Sequence, residues 1–258
     1  MTRDPAEGVD GDGVIVTGAS VDRVPAVYQP VVEDCTAVLT EMFGGWLHSL
    51  YLYGSVATGQ ARPPESDVDL IPVWVGSVAP EGVTDVAAAL SRRHRGLVRE
   101  VGLAPATLAE VRSDGRDGLG LRCFLRHYCV CLAGMDLRPS LPACRASRAV
   151  AEGFNDDVPT LVRGWRSKLE AARTPDEVAE VARAAARKLL LVAATLESAE
   201  HGGWTTDRRT GATMLAAHHP QWASTARQAV DWCAHPDRPT ADDVHQLLDL
   251  GDWLAGLP

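Results

Sequence analysis

The pattern of apolar positions changes character once along this 258-residue chain. From Val27 to about Phe43 apolar residues recur at helical spacing (Val27, Val31, Val32, Cys35, Val38, Leu39, Met42), and Gly44-Gly45 supplies the stop. His48–Tyr53 is a short run of apolar residues and β-formers that ends at Gly54-Ser55. It predicts a strand, a tight turn and a short helix. Asp67–Val75 is a second strand, with Pro72 at a position where one amide need not pair. The pattern then gives a helix over Thr84–His94, a third strand over Gly96–Ala104 and a helical stretch over 105–127 interrupted at Gly115, Gly118 and Gly120. A fourth strand covers Tyr128–Ala133. Interleaved helices and strands indicate an α/β (α+β) domain with a short mixed sheet.

Beyond Asn155 strand signals stop. Segments 156–173, 176–199, 222–235 and 240–256 all read as amphipathic helices, the last opened by Thr240 with acids behind it. The expected organisation is a loose, Gly-, Asp- and Pro-rich arm over 1–24, an α/β domain over 25–150 and an all-α helical bundle over 151–258.

Composition narrows the partners. The chain is 46% hydrophobic, enough for a real core, and carries 25 Lys and Arg against 34 Asp and Glu, for a net charge of −9. The acidic excess holds in both halves, so the basic footprint of a nucleic-acid binder is missing. Small cationic or metal-bridged ligands fit better. No apolar run approaches the roughly 20 residues that span a bilayer, and MTRDPAEGVDGDG has no hydrophobic signal core. A cytoplasmic protein with no membrane partner is expected. Six cysteines without a CxxC pair fit reduced thiols rather than zinc knuckles or a disulfide framework.

The informative chemistry lies in Tyr51–Leu70, where Gly54-Ser55 closes one strand and Asp67-Val-Asp69 opens the next. Residues i and i+2 of a strand share a face roughly 6.5–7 Å apart, so Asp67 and Asp69 project together. Two carboxylates on one face repel unless a cation sits between them, and magnesium bridging a nucleotide phosphate is the economical occupant. Gly54 permits close approach of backbone to phosphate, and the hydroxyl and amide of Ser55 can donate to it. Glu100, in Leu97-Val-Arg-Glu-Val-Gly-Leu103, is the acid placed to complete a two-metal site. It would bind the second metal or take the proton of an attacking hydroxyl.

These residues resemble the nucleotidyltransferase domain of the DNA polymerase β superfamily, and are most similar to aminoglycoside adenylyltransferases of the streptomycin/spectinomycin type. The resemblance rests on Gly54-Ser55, Asp67-Val-Asp69-Leu70 and Glu100, and extends through Cys129–Gly134, Arg187–Leu191 and His201–Arg209. It implies a helical second domain, ATP as co-substrate, two Mg2+ ions and transfer of AMP to a hydroxyl of a small, cationic acceptor, an aminoglycoside. It also implies Asp67, Asp69 and Glu100 as metal ligands and Ser55 as a phosphate contact. Arg187 would be a nucleotide contact, and Arg208 would replace the lysine that the family uses.

Each residue has a structural reading beside the functional one. Arg187 also suits snorkelling or pairing with Glu177 or Glu180, and Arg208 suits a solvated loop. His218-His219, adjacent on a helix, point apart and are not expected to share a metal. The tryptophans read as packing, with Trp204 in a polar loop the exception placed to line a pocket. Two other functions share the same residues: an adenylyltransferase acting on a protein partner, as antitoxin-like enzymes do, and a catalytically inactive nucleotide-binding protein.

Overall fold

A computed structural model describes residues 4–155, 157–234 and 239–256, and its internal contacts divide the chain after Arg145 into two compact units. In the first, β1 (Gly8–Val9) and β2 (Ile15–Val16) form a two-stranded hairpin, followed by α1 (Gln29–Phe43). The main sheet is built from β3 (Leu47–Tyr53), β4 (Val68–Trp74), β5 (Val101–Leu103), β6 (Ala106–Thr107) and β7 (Val130–Gly134). Between them lie α2 (Gly54–Ala57), α3 (Val83–Arg93), α4 (Leu108–Arg112) and α5 (Arg116–Tyr128). The sheet is mixed: its order is β5-β4-β3-β7, with β6 pairing further along β4. The β3 strand is antiparallel to both β4 and β7, whereas β5 and β6 run parallel to β4.

Strands β3 and β4 are apolar almost throughout because helices cover both faces of the sheet. Leu50, Leu52, Val68, Leu70 and Trp74 pack with Val31, Cys35 and Leu39 of α1 and with Val86 and Leu90 of α3. Tyr51, Ile71 and Val73, on the alternate positions, pack with Val111 of α4 and Leu125 of α5. Trp74 is fully buried and meets Phe43 edge-on, with ring centroids 5.7 Å apart. Pro72 sits where its lost donor is least costly. Val68 N–H donates to Glu100 O, so the strand period turns residue 72's nitrogen to the same side, into the gap between the Leu70↔Leu103 and Val73↔Ala106 pairs.

Among the described residues, 4–24 are not a loose arm. Ile15 is 1% exposed and its N–H donates to Cys144 O, Val14 bridges to Arg145, and Tyr128 Oη donates to Glu7 Oε1 at 2.7 Å. These partners are more than a hundred residues away in sequence, beyond the reach of local composition. The third strand is shorter than 96–104 because Leu97 and Val98 close a turn on His94. The 105–127 stretch resolves into β6, α4 and α5. Helix α5 runs on through Tyr128, whose ring stacks on Phe124 one turn earlier at 5.5 Å.

The second unit contains α6 (Arg148–Phe154), α7 (Val158–Ala171), α8 (Pro175–Glu200), α9 (Arg208–His218), α10 (Ala223–Ala234) and α11 (Ala241–Ala255). Its axis is α8, which starts at a Thr174/Glu177 capping box and packs against the other five helices. Helices α6 and α9 lie outside the four segments predicted as helical, although His218 was expected on a helix. Both open on side-chain caps, Ser147 to Val150 N–H and Asp207 to Thr210 N–H. Trp204 does not line a pocket: it is 4% exposed and packs edge-on against Phe154 at 5.7 Å. Among the described residues no helix is long and apolar enough to cross a membrane.

Candidate active site

Three acids of the first unit, Asp67, Asp69 and Glu100, lie at the edge where β4 begins. Asp69 pairs with Tyr53 across β3 and with Gly102 across β5, so its side chain shares a face with Tyr53. Its carboxylate is seated between two glycines. A Cβ on Gly54 would lie 2.7 Å from Asp69 Oδ2, and one on Gly102 would lie 3.1 Å from Oδ1. Gly54 also has φ +75°, a backbone conformation that L side chains rarely adopt. Thus the turn after β3 and the bare position on β5 together admit the carboxylate.

Asp67 lies two residues earlier on the same face. It accepts from Arg99 Nε at 2.9 Å and from Arg99 Nη2, forming a two-pronged ion pair. Glu100 precedes β5. The bonds Arg99 N–H to Ser66 O and Val68 N–H to Glu100 O continue the β4–β5 ladder backwards, which sets Glu100 level with Asp67 and on the face of Gly102. Its side chain is exposed. The three acids therefore share one face, but their ligand atoms are not drawn within 4.8 Å of one another. Arg99 feels all three: its pKa is raised first by the hydrogen bond to Asp67 and further by the charges of Glu100 and Asp69.

Tyr53 closes the inner side. Burial pushes its phenol well above the usual range, and the charges of Asp69 and Asp67 push the same way. Its ring meets Phe124 edge-on at 5.0 Å. Ser55 lies in the four-residue α2 directly after Gly54 and is partly exposed, and its carbonyl accepts from Gln60 N–H at 2.8 Å.

The donor set is compatible with magnesium, being all carboxylate oxygen on one sheet face, with Asp69 seated where a Cβ would intrude. Any cation at Asp67 competes with Arg99 for that carboxylate. Sequence reasoning missed Gly102 and Arg99. A glycine inside a strand pattern signals close approach, so Gly102 was discoverable; the Arg99 pairing depends on the register of β5.

In the second unit Arg187 and Arg208 are brought together. With Arg183, Lys188, Glu180 and Leu191 they line a concave surface of about 420 Å³. Arg208 is the first residue of α9 rather than part of a solvated loop, and its Nε donates to Arg187 O at 2.6 Å. Burial lowers its pKa, and the neighbouring charge of Arg187 lowers it further. His218 and His219 also depart from expectation. Helix α9 ends at His218, and His219 has φ −130° and ψ 75°, so both rings reach Glu197.

No family model matches the chain, and no curated protein matches it in sequence. Among solved structures it resembles the spectinomycin adenyltransferase AAD(9) from Enterococcus faecialis, determined with ATP and spectinomycin. The TM-score is 0.54 at 12% identity, covering 86% of this chain and 98% of that one. At that identity the likeness is one of fold.

Proposed function

We propose that this chain is an ATP- and Mg2+-dependent nucleotidyltransferase that moves AMP to a hydroxyl of a small, cationic acceptor of the aminoglycoside class. The observation that carries the proposal is the seating of Asp69 between Gly54 and Gly102, with Asp67 and Glu100 on the same face of the sheet edge. The likeness to a spectinomycin adenyltransferase solved with ATP and spectinomycin supports it. The excess of acid over base in the chain suits a cationic acceptor.

Asp67 and Asp69 would hold the Mg2+ ions, which would supply neutralisation of phosphate charge and of the departing pyrophosphate, and of its two alternative roles Glu100 is assigned that of base. The chain's own part is to orient and to move a proton. The acceptor oxygen bonds to the α-phosphorus, the bond from that phosphorus to its bridging oxygen breaks, and pyrophosphate leaves with the electron pair. The hydroxyl proton passes to the Glu100 carboxylate, which is exposed and therefore accessible to an acceptor. Ser55, following the Gly54 turn, donates to the nucleotide's phosphates. Arg187 and Arg208 are proposed as further phosphate contacts, on the strength of the basic surface they form within the second unit.

The test is acceptor-stimulated pyrophosphate release from ATP across a panel of aminoglycosides. Release is expected to fall by about 10² to 10⁴ in Glu100→Gln, the range for loss of a general base, and at least as far in Asp69→Asn. Turnover that survives Asp69→Asn sinks the proposal.

A further inference from the structure

Helix α8 buries a carboxylate near its C-terminal end. Glu197 is 5% exposed, and a buried carboxylate is costly unless its oxygens are matched. Here each oxygen faces an imidazole: Oε2 lies 2.8 Å from His218 Nδ1, and Oε1 lies 2.9 Å from His219 Nε2. His201, four residues beyond Glu197 and just past the end of α8, adds a third ring, with Nε2 2.9 Å from the same His218 Nδ1. Glu197 and His201 stand on one face as an i, i+4 pair, and His218 reaches them from the end of α9.

Nδ1 of His218 thus faces two groups at once. A neutral imidazole nitrogen carries either one proton or one lone pair. If Nδ1 donates to Glu197, its single proton must be shared with the lone pair of His201 Nε2 in a three-centre bond, or it meets a second proton there. If it accepts from His201, its lone pair opposes a carboxylate oxygen. A cation placed among the three atoms resolves the conflict, because each then directs a lone pair at it. We propose that Glu197, His201 and His218 form a binding site for a divalent transition-metal ion of the zinc class.

The geometry suits such an ion. Tetrahedral zinc with Zn–N of about 2.0–2.1 Å and Zn–O of about 2.0–2.2 Å sets its ligand atoms roughly 3.3 Å apart. The three ligand atoms here lie within 4.8 Å of one another, with two of the separations at 2.8 and 2.9 Å, so small rotations of exposed rings complete the sphere. Imidazole nitrogen with one carboxylate oxygen selects zinc, nickel, cobalt or copper over magnesium. His219 holds the outer carboxylate oxygen and so fixes the plane of the Glu197 ligand. His201 and His218 are exposed, which leaves an entry path and a fourth position for water. The ion would tie the end of α8 to the end of α9, a structural role separate from the magnesium chemistry proposed for the first unit.

The experiment uses the full chain without a histidine tag. Zinc is titrated in competition with a chromophoric chelator. One ion per chain is expected, with a Kd of about a micromolar or tighter, weakened by about 100-fold in His218→Ala and in His201→Ala and unchanged in His245→Ala. A hundredfold excess of zinc over Kd is expected to raise Tm by roughly 5 °C in the parent and not in the two ligand variants. Cobalt in place of zinc is expected to give weak visible bands without an intense thiolate charge-transfer band. Because His201 is exposed, its variant keeps the test decisive should His218→Ala fail to fold. Absence of saturable binding, binding unaltered in His201→Ala, or a thiolate band that assigns the ion to a cysteine would each overturn the proposal.

Discussion

The Asp69 carboxylate rests against the α-carbon of Gly54, so close that a methyl group at position 54 would stand 2.7 Å from Oδ2. Substituting Gly54→Ala therefore does two things. It places an L side chain at φ +75°, which costs about 1–2 kcal/mol, and it pushes the carboxylate off its seat. Gly102→Ala brings a methyl only to 3.1 Å from Oδ1, without a positive φ. Pyrophosphate release is expected to fall steeply in Gly54→Ala and mildly in Gly102→Ala, with the larger loss of urea stability also at position 54. Equal activity in both variants would show that the seating of Asp69 is immaterial.

Arg99 holds Asp67 from both prongs of its guanidinium, and its side chain is 56% exposed. Because the same carboxylate is proposed to bind magnesium, the guanidinium acts as a tethered competitor. Arg99→Gln removes that positive charge, so half-maximal activation is expected at a several-fold lower Mg2+ concentration. The shift is expected to shrink in 1 M salt for the exposed part of the interaction. An activation curve that moves to higher Mg2+ would mean that Arg99 assists the site instead, for instance by holding the triphosphate.

The two long strands and the acid pair were legible because they depend on local pattern alone. The apolar runs of β3 and β4 announce strands buried on both faces, and Asp67 and Asp69 interrupt that pattern at its edge, where apolar packing gives no reason for them. What stayed hidden depends on distant partners. The 1–24 segment read as an arm because Ile15, Glu7 and Val14 find their partners at Cys144, Tyr128 and Arg145. Helix α9 was masked by its polar start, Arg208-Arg-Thr-Gly, although Asp207 was an available cap. The expected divergence of His218 and His219 failed for a geometric reason: adjacent residues diverge on a helix, but here the helix ends between them.

Asp34 on α1 joins that helix to the end of α3. Its Oδ2 lies 2.7 Å from His94 Nε2, and Arg93 Nη1 donates to both carboxylate oxygens at 2.7 and 2.8 Å. The His94 hydrogen bond, followed by Arg93, holds the carboxyl below its ordinary value. A carboxylate with a depressed folded pKa contributes stability that is present above the unfolded value of about 3.9 and is lost as pH falls through the folded one. Asp34→Asn is expected to cost about 1 kcal/mol or less at pH 7, since Arg93 is largely exposed, and this gap should close below about pH 4. Urea melts of both proteins at pH 7, 5 and 3 measure it. A gap that persists undiminished at pH 3 would rule out the ionic origin.

Arg187 and Arg208 line the same basic surface but carry different burdens. Arg208 is partly buried and its Nε ties the start of α9 to the Arg187 carbonyl of α8, so its removal takes away a link between the two helices. Arg187 is only partly buried and presents its charge beside Lys188 and Arg183. Arg187→Ala is therefore expected to leave thermal stability within about 0.5 kcal/mol of the parent, as for most surface changes. If it contacts phosphate equally in the ground and transition states, KM for ATP should rise about tenfold with kcat nearly constant. Arg208→Ala should lower Tm as well as raise KM, and Arg208→Lys should recover little, because an ammonium cannot reproduce the Nε donor geometry. Unchanged KM for ATP in Arg187→Ala, with Tm also unchanged, would remove this surface from the nucleotide site while leaving the acids of the first unit untouched as its candidate chemistry.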